Sequence, residues 1–167
     1  MSAPELSRIV DVRQAEGKHM TITASEAERV ALALRLGIVR IDRLEAEVTL
    51  RRKDRDVSAA GTLKARIVQL CAVSAEDLPV TISEPLAFRF VPAATTHAPE
   101  IDIEIDTDDC DEIEYEGTHI DVGEAVAQSL ALAIDPFLTG PAAEAARERL
   151  RDQSASPFAV LLKRDSQ

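Results

Sequence analysis

The residues of this 167-residue chain that could act as nucleophiles, bases or soft metal ligands are Cys71, Cys110, His19, His97 and His119. The two cysteines lie 39 positions apart and lack the close pairing of a zinc site. No histidine falls inside a recognised catalytic signature, so no thiol or hydroxyl is assigned a base. Cys71 closes an apolar alternating run, where a free cysteine usually behaves as a small hydrophobe. Hard ligands gather in TDDCDE, which places Asp108, Asp109, Cys110, Asp111 and Glu112 together and would suit magnesium or calcium. The run lacks the glycine and terminal glutamate offsets of an EF-hand, which favours a solvated acidic loop. The six glycines form neither GxGxxG nor GxxxxGK, so no phosphate-cradling loop is present in the sequence. These patterns predict a non-enzymatic protein with no catalytic residue, no cofactor and no bound metal.

The remaining chemistry is cationic. Arg40, Arg43, Arg51, Arg52, Lys53, Arg55, Lys64 and Arg66 fall on two consecutive strand patterns and the turn between them. A hairpin there would bring them close together. Five acids share that span, so the excess is three charges, and a salt-bridge-laced surface fits as well as an RNA-binding patch. The candidate nucleic-acid contacts are Arg51, Arg52, Lys53 and Arg55, because a turn presents long cationic side chains outward, with Lys64 and Arg66 beside them. Net charge is -11, but residues 1–75 hold 13 basic and 10 acidic side chains, whereas residues 76–136 hold 1 and 16. The N-terminal half can therefore still face phosphate. Aromatic residues are 3% of the chain, which leaves few candidates for stacking on bases.

The elements that must position these residues follow from periodicity. Residues 8–12 and 19–23 read as two short strands of an opening hairpin. Ser25 and Glu28 form a capping-box pattern, and Ala27, Val30, Ala31 and Leu34 fall on one helical face before Gly37, which predicts a helix over 25–36. Val39 and Ile41 then alternate in one phase, and Leu44, Ala46, Val48 and Leu50 in the other, with a bulge near Arg43 reconciling them. After the charged turn, Val57, Ala59, Gly61, Leu63, Ala65 and Ile67 alternate up to Cys71. A third run carries Val80, Ile82, Leu86, Phe88 and Phe90, with Pro85 marking an edge or a break. These three long runs predict an antiparallel β meander with one buried face.

Beyond them, VPAATTHAPE reads as a loop and Ile101, Ile103 and Ile105 as a short strand. A further short strand, a turn at Gly117 and a return to Ile120 lead to a helix capped by Asp121, with a stripe of Val122, Val126, Leu130 and Ile134. A weaker helix is expected over 142–152, and SPFAVLLKRD is a short apolar end piece. The fold class is α+β: a sheet of long strands packed with two or three helices. A single domain over 1–153 is expected, with 154–167 as a partly docked or flexible end segment. No apolar run approaches the roughly 20 residues that span a bilayer, and MSAPELSRIV lacks a secretory pattern, so a cytoplasmic protein away from membranes is expected.

The succession GTLKARIVQLC, LPVTISEPLAFRF, an acidic strand segment, HIDVGEAVAQSLALAIDPF and SPFAVLLK resembles the YceD family, in particular its alphaproteobacterial-type members. The resemblance covers roughly residues 35–163. It implies a non-enzymatic role in large-subunit (23S) ribosomal RNA accumulation and ribosome biogenesis, with precursor ribosomal RNA or a large-subunit assembly intermediate as partner. Many members carry Cys-x-x-Cys at the end of the long strand; this chain has Cys71-Ala72-Val73-Ser74 and no second thiol there. The alternative is an acidic adaptor or chaperone whose segment 100–116 holds a basic ribosomal protein.

Overall fold

The computed structural model describes residues 4–93 and 111–153. The expected strand at Ile101–Ile105, most of the loop before it, His97, the acids and cysteine at 108–110 and the end piece after residue 153 lie outside the described residues. The elements are β1 (Ile9–Asp11), β2 (His19–Thr23), α1 (Glu26–Leu36), β3 (Arg40–Lys53), β4 (Asp56–Leu70), β5 (Asp77–Pro92), β6 (Asp111–Tyr115), β7 (His119–Asp121), α2 (Val122–Ala133) and α3 (Ala143–Gln153), with a 3-10 turn at Val12–Gln14. This is the α+β class read from the sequence.

Five strands form one sheet in the order β2-β3-β4-β5-β6. The long strands β3, β4 and β5 pair antiparallel along nearly their whole lengths, as the alternation predicts. Leu44, Ala46, Val48, Leu50, Val57, Ala59, Leu63, Ala65, Ile67, Ile82, Leu86, Phe88 and Phe90 are all buried. The two phases of β3 meet at a register shift between Ile41 and Arg43, the bulge the pattern calls for. Without it, either Ile41 or the Leu44–Leu50 set would face water. Gly61 lies where β4 closely approaches β3: a Cβ there would fall 1.8 Å from the Glu47 carbonyl oxygen.

Two expected pairings are corrected. Residues 8–12 and 19–23 do not form a hairpin. β1 pairs antiparallel with β7, β2 pairs with β3, and the 3-10 turn capped by Asp11 redirects the chain between them. The short strands around Gly117 likewise part company: β6 runs parallel to β5, while β7 joins β1. Gly117 takes φ 74°, a left-handed turn geometry that suits glycine.

The inner face of the sheet is covered by α1 over β3 and α2 over β4 and β5. Asp121 ties α2 to the N-terminal segment. Its carboxylate accepts from Glu124 N as the helix cap, and also from Ser7 Oγ (2.7 Å) and Arg8 N (2.8 Å). Gly123 lets that segment cross the first helical turn, since a Cβ would stand 2.7 Å from Arg8 N. Val122, Val126 and Leu130 are fully buried, as the predicted stripe requires. Just past the other end of α2, buried Gln69 donates to the Asp135 carbonyl at 2.7 Å, tying the segment after the helix to β4.

Helix α1 starts with the predicted capping box of Ser25 and Glu28 and stops at Gly37, φ 66°. Its orientation corrects the sequence reading. Leu32 and Ala33 are buried, whereas Val30 and Leu34, expected on the core face, are 66% and 84% exposed. Arg8 fixes this rotation by reaching Glu28 with both terminal guanidinium nitrogens, at 2.7 and 3.2 Å, and by donating to the Thr23 carbonyl. Arg35 adds a second clamp, binding Glu5 and Glu124 at 2.8 and 2.7 Å.

Two outcomes follow from these contacts. Gly61→Ala should destabilise the fold by about 3 kcal/mol, the upper range for overpacking, because the clash is with backbone; the urea midpoint measures it. The Arg8 guanidinium beside Glu28 holds its carboxyl down to about 2 from the usual 4.5. The folded state therefore binds this proton less readily than the unfolded chain, so the stabilisation is complete above about pH 4.5 and is lost as pH falls toward 2. Glu28→Gln should lower stability at neutral pH and flatten the acid limb of a stability-against-pH curve.

Candidate nucleic-acid interface

Because the helices cover one face of the sheet, the alternate residues of β3, β4 and β5 face solvent on the other. The register decides which of them meet. Arg43 stands opposite Arg66, Glu45 opposite Lys64, Arg66 opposite Thr81 and Lys64 opposite Ser83. These side chains line an open hollow of about 310 Å³. Glu45 accepts from Arg43 at 2.8 Å, so three cations face one acid, with two hydroxyls alongside. That donor set is suited to phosphate oxygens.

The predicted contacts do not form one patch. Arg51 pairs with Ser58, and Lys53 with Asp56, at the far end of the same hairpin. Six residues separate Ser58 from Lys64 along β4, about 20 Å at strand rise. The structure therefore divides Arg51, Arg52, Lys53 and Arg55 from Lys64 and Arg66, because arms of 14 and 15 residues hold the hairpin extended. All six are exposed.

The turn itself is firmly held. Tyr115 Oη donates to the Arg55 carbonyl at 2.6 Å, and Arg52 N donates to Glu16 at 2.6 Å. Arg52 Nε closes on the Asp54 carbonyl, and Asp54 takes φ 58°, which aspartate tolerates better than most residues. Arg51, Lys53 and Arg55 thus project from a fixed backbone, while Glu16, Asp54 and Asp56 offset much of their charge. Near the turn on the outer face, Arg89 pairs with Glu112. Thr81 and Ser83 escaped the sequence reading of the site, although the inward phase of Val80 and Ile82 implies that they face outward. Arg43 was legible as part of the basic gathering, but its place opposite Arg66 depends on the bulge.

The aromatic residues of the sheet offer nothing to stack on. Phe88, Phe90 and Tyr115 are buried, the two phenylalanines meeting edge to face at 5.5 Å. Recognition at this face would rest on charge and hydroxyl groups.

The residues with other chemical potential stand apart. His19 and His119 are exposed and contact Thr49 and Thr118 hydroxyls. Asp111 and Glu112 lie in β6, and among the described residues no three His, Cys, Asp or Glu side chains are grouped to hold a metal. Cys71 sits one residue beyond β4 and is 3% exposed, buried as its reading as a small hydrophobe implies. Its sulfur accepts from Ser74 N and Gly140 N, each at 3.4 Å. The Ser74 hydroxyl, followed by the backbone N–H groups of Gly140, Ser74 and Val73, holds the thiol down to about 6.

Compared with known proteins, the chain matches no protein-family model, no curated protein and no solved structure. Among the described residues no helix is long and apolar enough to cross a membrane.

The thiol surroundings generate a direct expectation. Alkylation of Cys71, followed by mass spectrometry of its peptide, should rise through an apparent pKa near 6 and remain slow in absolute rate because the sulfur is buried. Ser74→Ala should move that midpoint up toward the ordinary thiol value.

Proposed function

We propose that this chain is a non-enzymatic YceD-type factor of large-subunit biogenesis that acts in the cytoplasm and binds precursor ribosomal RNA or the assembling particle through the outer face of its sheet. The observation that carries this reading is the hollow of Arg43, Lys64 and Arg66 with Thr81 and Ser83, a local positive excess on a chain of net charge -11. An acidic chain is repelled by RNA as a whole, so a cationic cluster with hydroxyls aimed outward marks where a phosphate backbone can approach.

The held turn with Arg51, Lys53 and Arg55 supplies a second contact about 20 Å along the strands, and the two together follow a backbone over several nucleotides. Phosphate contacts position a protein without reading bases, and the burial of the sheet aromatics fits binding governed by RNA shape. The resemblance read from the sequence supplies the ribosomal context.

Purified protein and a large-subunit precursor RNA fragment should give a complex at low salt whose affinity falls as salt rises. Lys64→Glu with Arg66→Glu should weaken binding at least about tenfold and reduce the salt slope by about two, one for each phosphate contact removed. Reversal of Arg51 and Lys53 should have a smaller effect. Absence of binding at low salt, or binding indifferent to the Lys64 and Arg66 reversals, overturns the proposal. Nuclease-resistant co-purification of a basic protein without RNA would favour the adaptor role instead.

A further inference from the structure

Helix α1 is apolar on two sides. Leu32 and Ala33 are buried toward β3, and Leu36 packs partly against the core. On the opposite side Ala27, Val30 and Leu34 follow one another at i, i+3 and i+7, all exposed to water. Val39, 41% exposed, extends this stripe past the helix end. With Ala33, Ile38 and Ile41, the side chains of Val30, Leu34 and Val39 line an open hollow of about 520 Å³ between α1 and the start of β3, rimmed by Glu26, Arg29, Arg40 and Asp42. Apolar side chains at this spacing form the seam by which one helix packs on another.

We propose that this stripe is the contact surface of a two-fold homodimer in which α1 packs antiparallel against α1 of a second copy. Three features select this occupant. The side chains grow along the helix from Ala27 to Val30 to Leu34. Reversal by a two-fold axis lays Leu34 of one copy over Ala27 of the other, and Val30 meets its own counterpart at the axis. The rim carries two acids and two arginines, one of each at either end, so it is neutral, and a two-fold sets Glu26 and Arg29 of one copy against the Arg40–Asp42 pair of the other without net repulsion. A nucleic acid would call for a net positive rim, and a basic protein for a net negative one.

The scale sets the strength. An 11-residue helix is about 16 Å long, and the few side chains it presents fall short of the roughly 20–30 residues a side of a stable interface. The dimer is therefore weak and dependent on concentration. Each copy brings a charge of -11, so added salt screens repulsion and strengthens association. This dependence is opposite in sign to that of RNA binding, and the stripe lies on the helical side of the sheet, away from its cationic face.

Sedimentation equilibrium of the full chain from roughly 1 to several hundred micromolar, the range a weak interface occupies, provides the test. The average mass should climb from 18.1 kDa toward twice that value, more steeply at higher salt. Val30→Glu and Leu34→Glu, both at exposed positions, should each hold the protein at single-chain mass with an unchanged circular dichroism spectrum and thermal midpoint. Wild-type protein that stays at single-chain mass throughout overturns the proposal, as does a dimer that survives both substitutions. Hydroxyl-radical footprinting adds a third check: Val30 and Leu34 should be more protected at high concentration than at low. Equal protection at every dilution would mean that another part of the same chain covers the stripe, and the homodimer is then excluded.

Discussion

A sheet buried on one face alone fixes where every second residue of its strands must go. In β3, β4 and β5 that constraint acts over runs of 14 to 16 residues, and the packing of Leu44, Leu50, Val57, Leu63, Ile67, Ile82 and Phe90 beneath the helices leaves no freedom to slip. The cationic hollow is its complement. Arg43, Lys64, Arg66, Thr81 and Ser83 meet on the outer face because their neighbours in sequence are needed inside. Two local features keep the phases aligned: the bulge at Ile41/Arg43 and the absence of a side chain at Gly61, where β4 comes against the β3 backbone.

The cover on the inner face depends on the N-terminal segment. Asp121 serves as cap for α2 and as acceptor for Ser7 and Arg8, so the helix start and the segment crossing it are held by one carboxylate. Arg8 then passes that constraint to α1 through Glu28, and Arg35 spans Glu5 and Glu124. A partly buried, bidentate arginine pair of this kind has directional value that an exposed pair lacks. Its consequence is the rotation of α1, which turns Leu32 and Ala33 inward and leaves Val30 and Leu34 outside.

Electrostatics divide the molecule in a similar way. The cations of the outer face come from β3 and β4, where they outnumber the acids Asp42, Glu45, Glu47 and Asp56, whereas the acidity of the chain is concentrated from residue 76 onward. At the β3–β4 turn the charges nearly balance, and what distinguishes it is its anchoring by Tyr115 and Glu16. Fixing the backbone lowers the entropy lost when a flexible arginine engages a partner.

Much of this was legible without coordinates. Alternation at period two identified the three long strands, their buried residues and the bulge. The Ser25/Glu28 capping box, Gly37 and Asp121 marked the helix boundaries, because these signals act within a few residues. What local patterns could not decide was which elements meet. β1 takes β7 in place of β2, β6 lies parallel on β5, and the arms of the basic hairpin hold its two ends about 20 Å apart. The orientation of α1 was misread for the same reason. Its sequence offers two apolar stripes of similar quality, and the choice between them rests on Arg8, Glu28 and Asp121, groups that chain order separates by as much as 113 positions and tertiary packing brings within hydrogen-bonding distance.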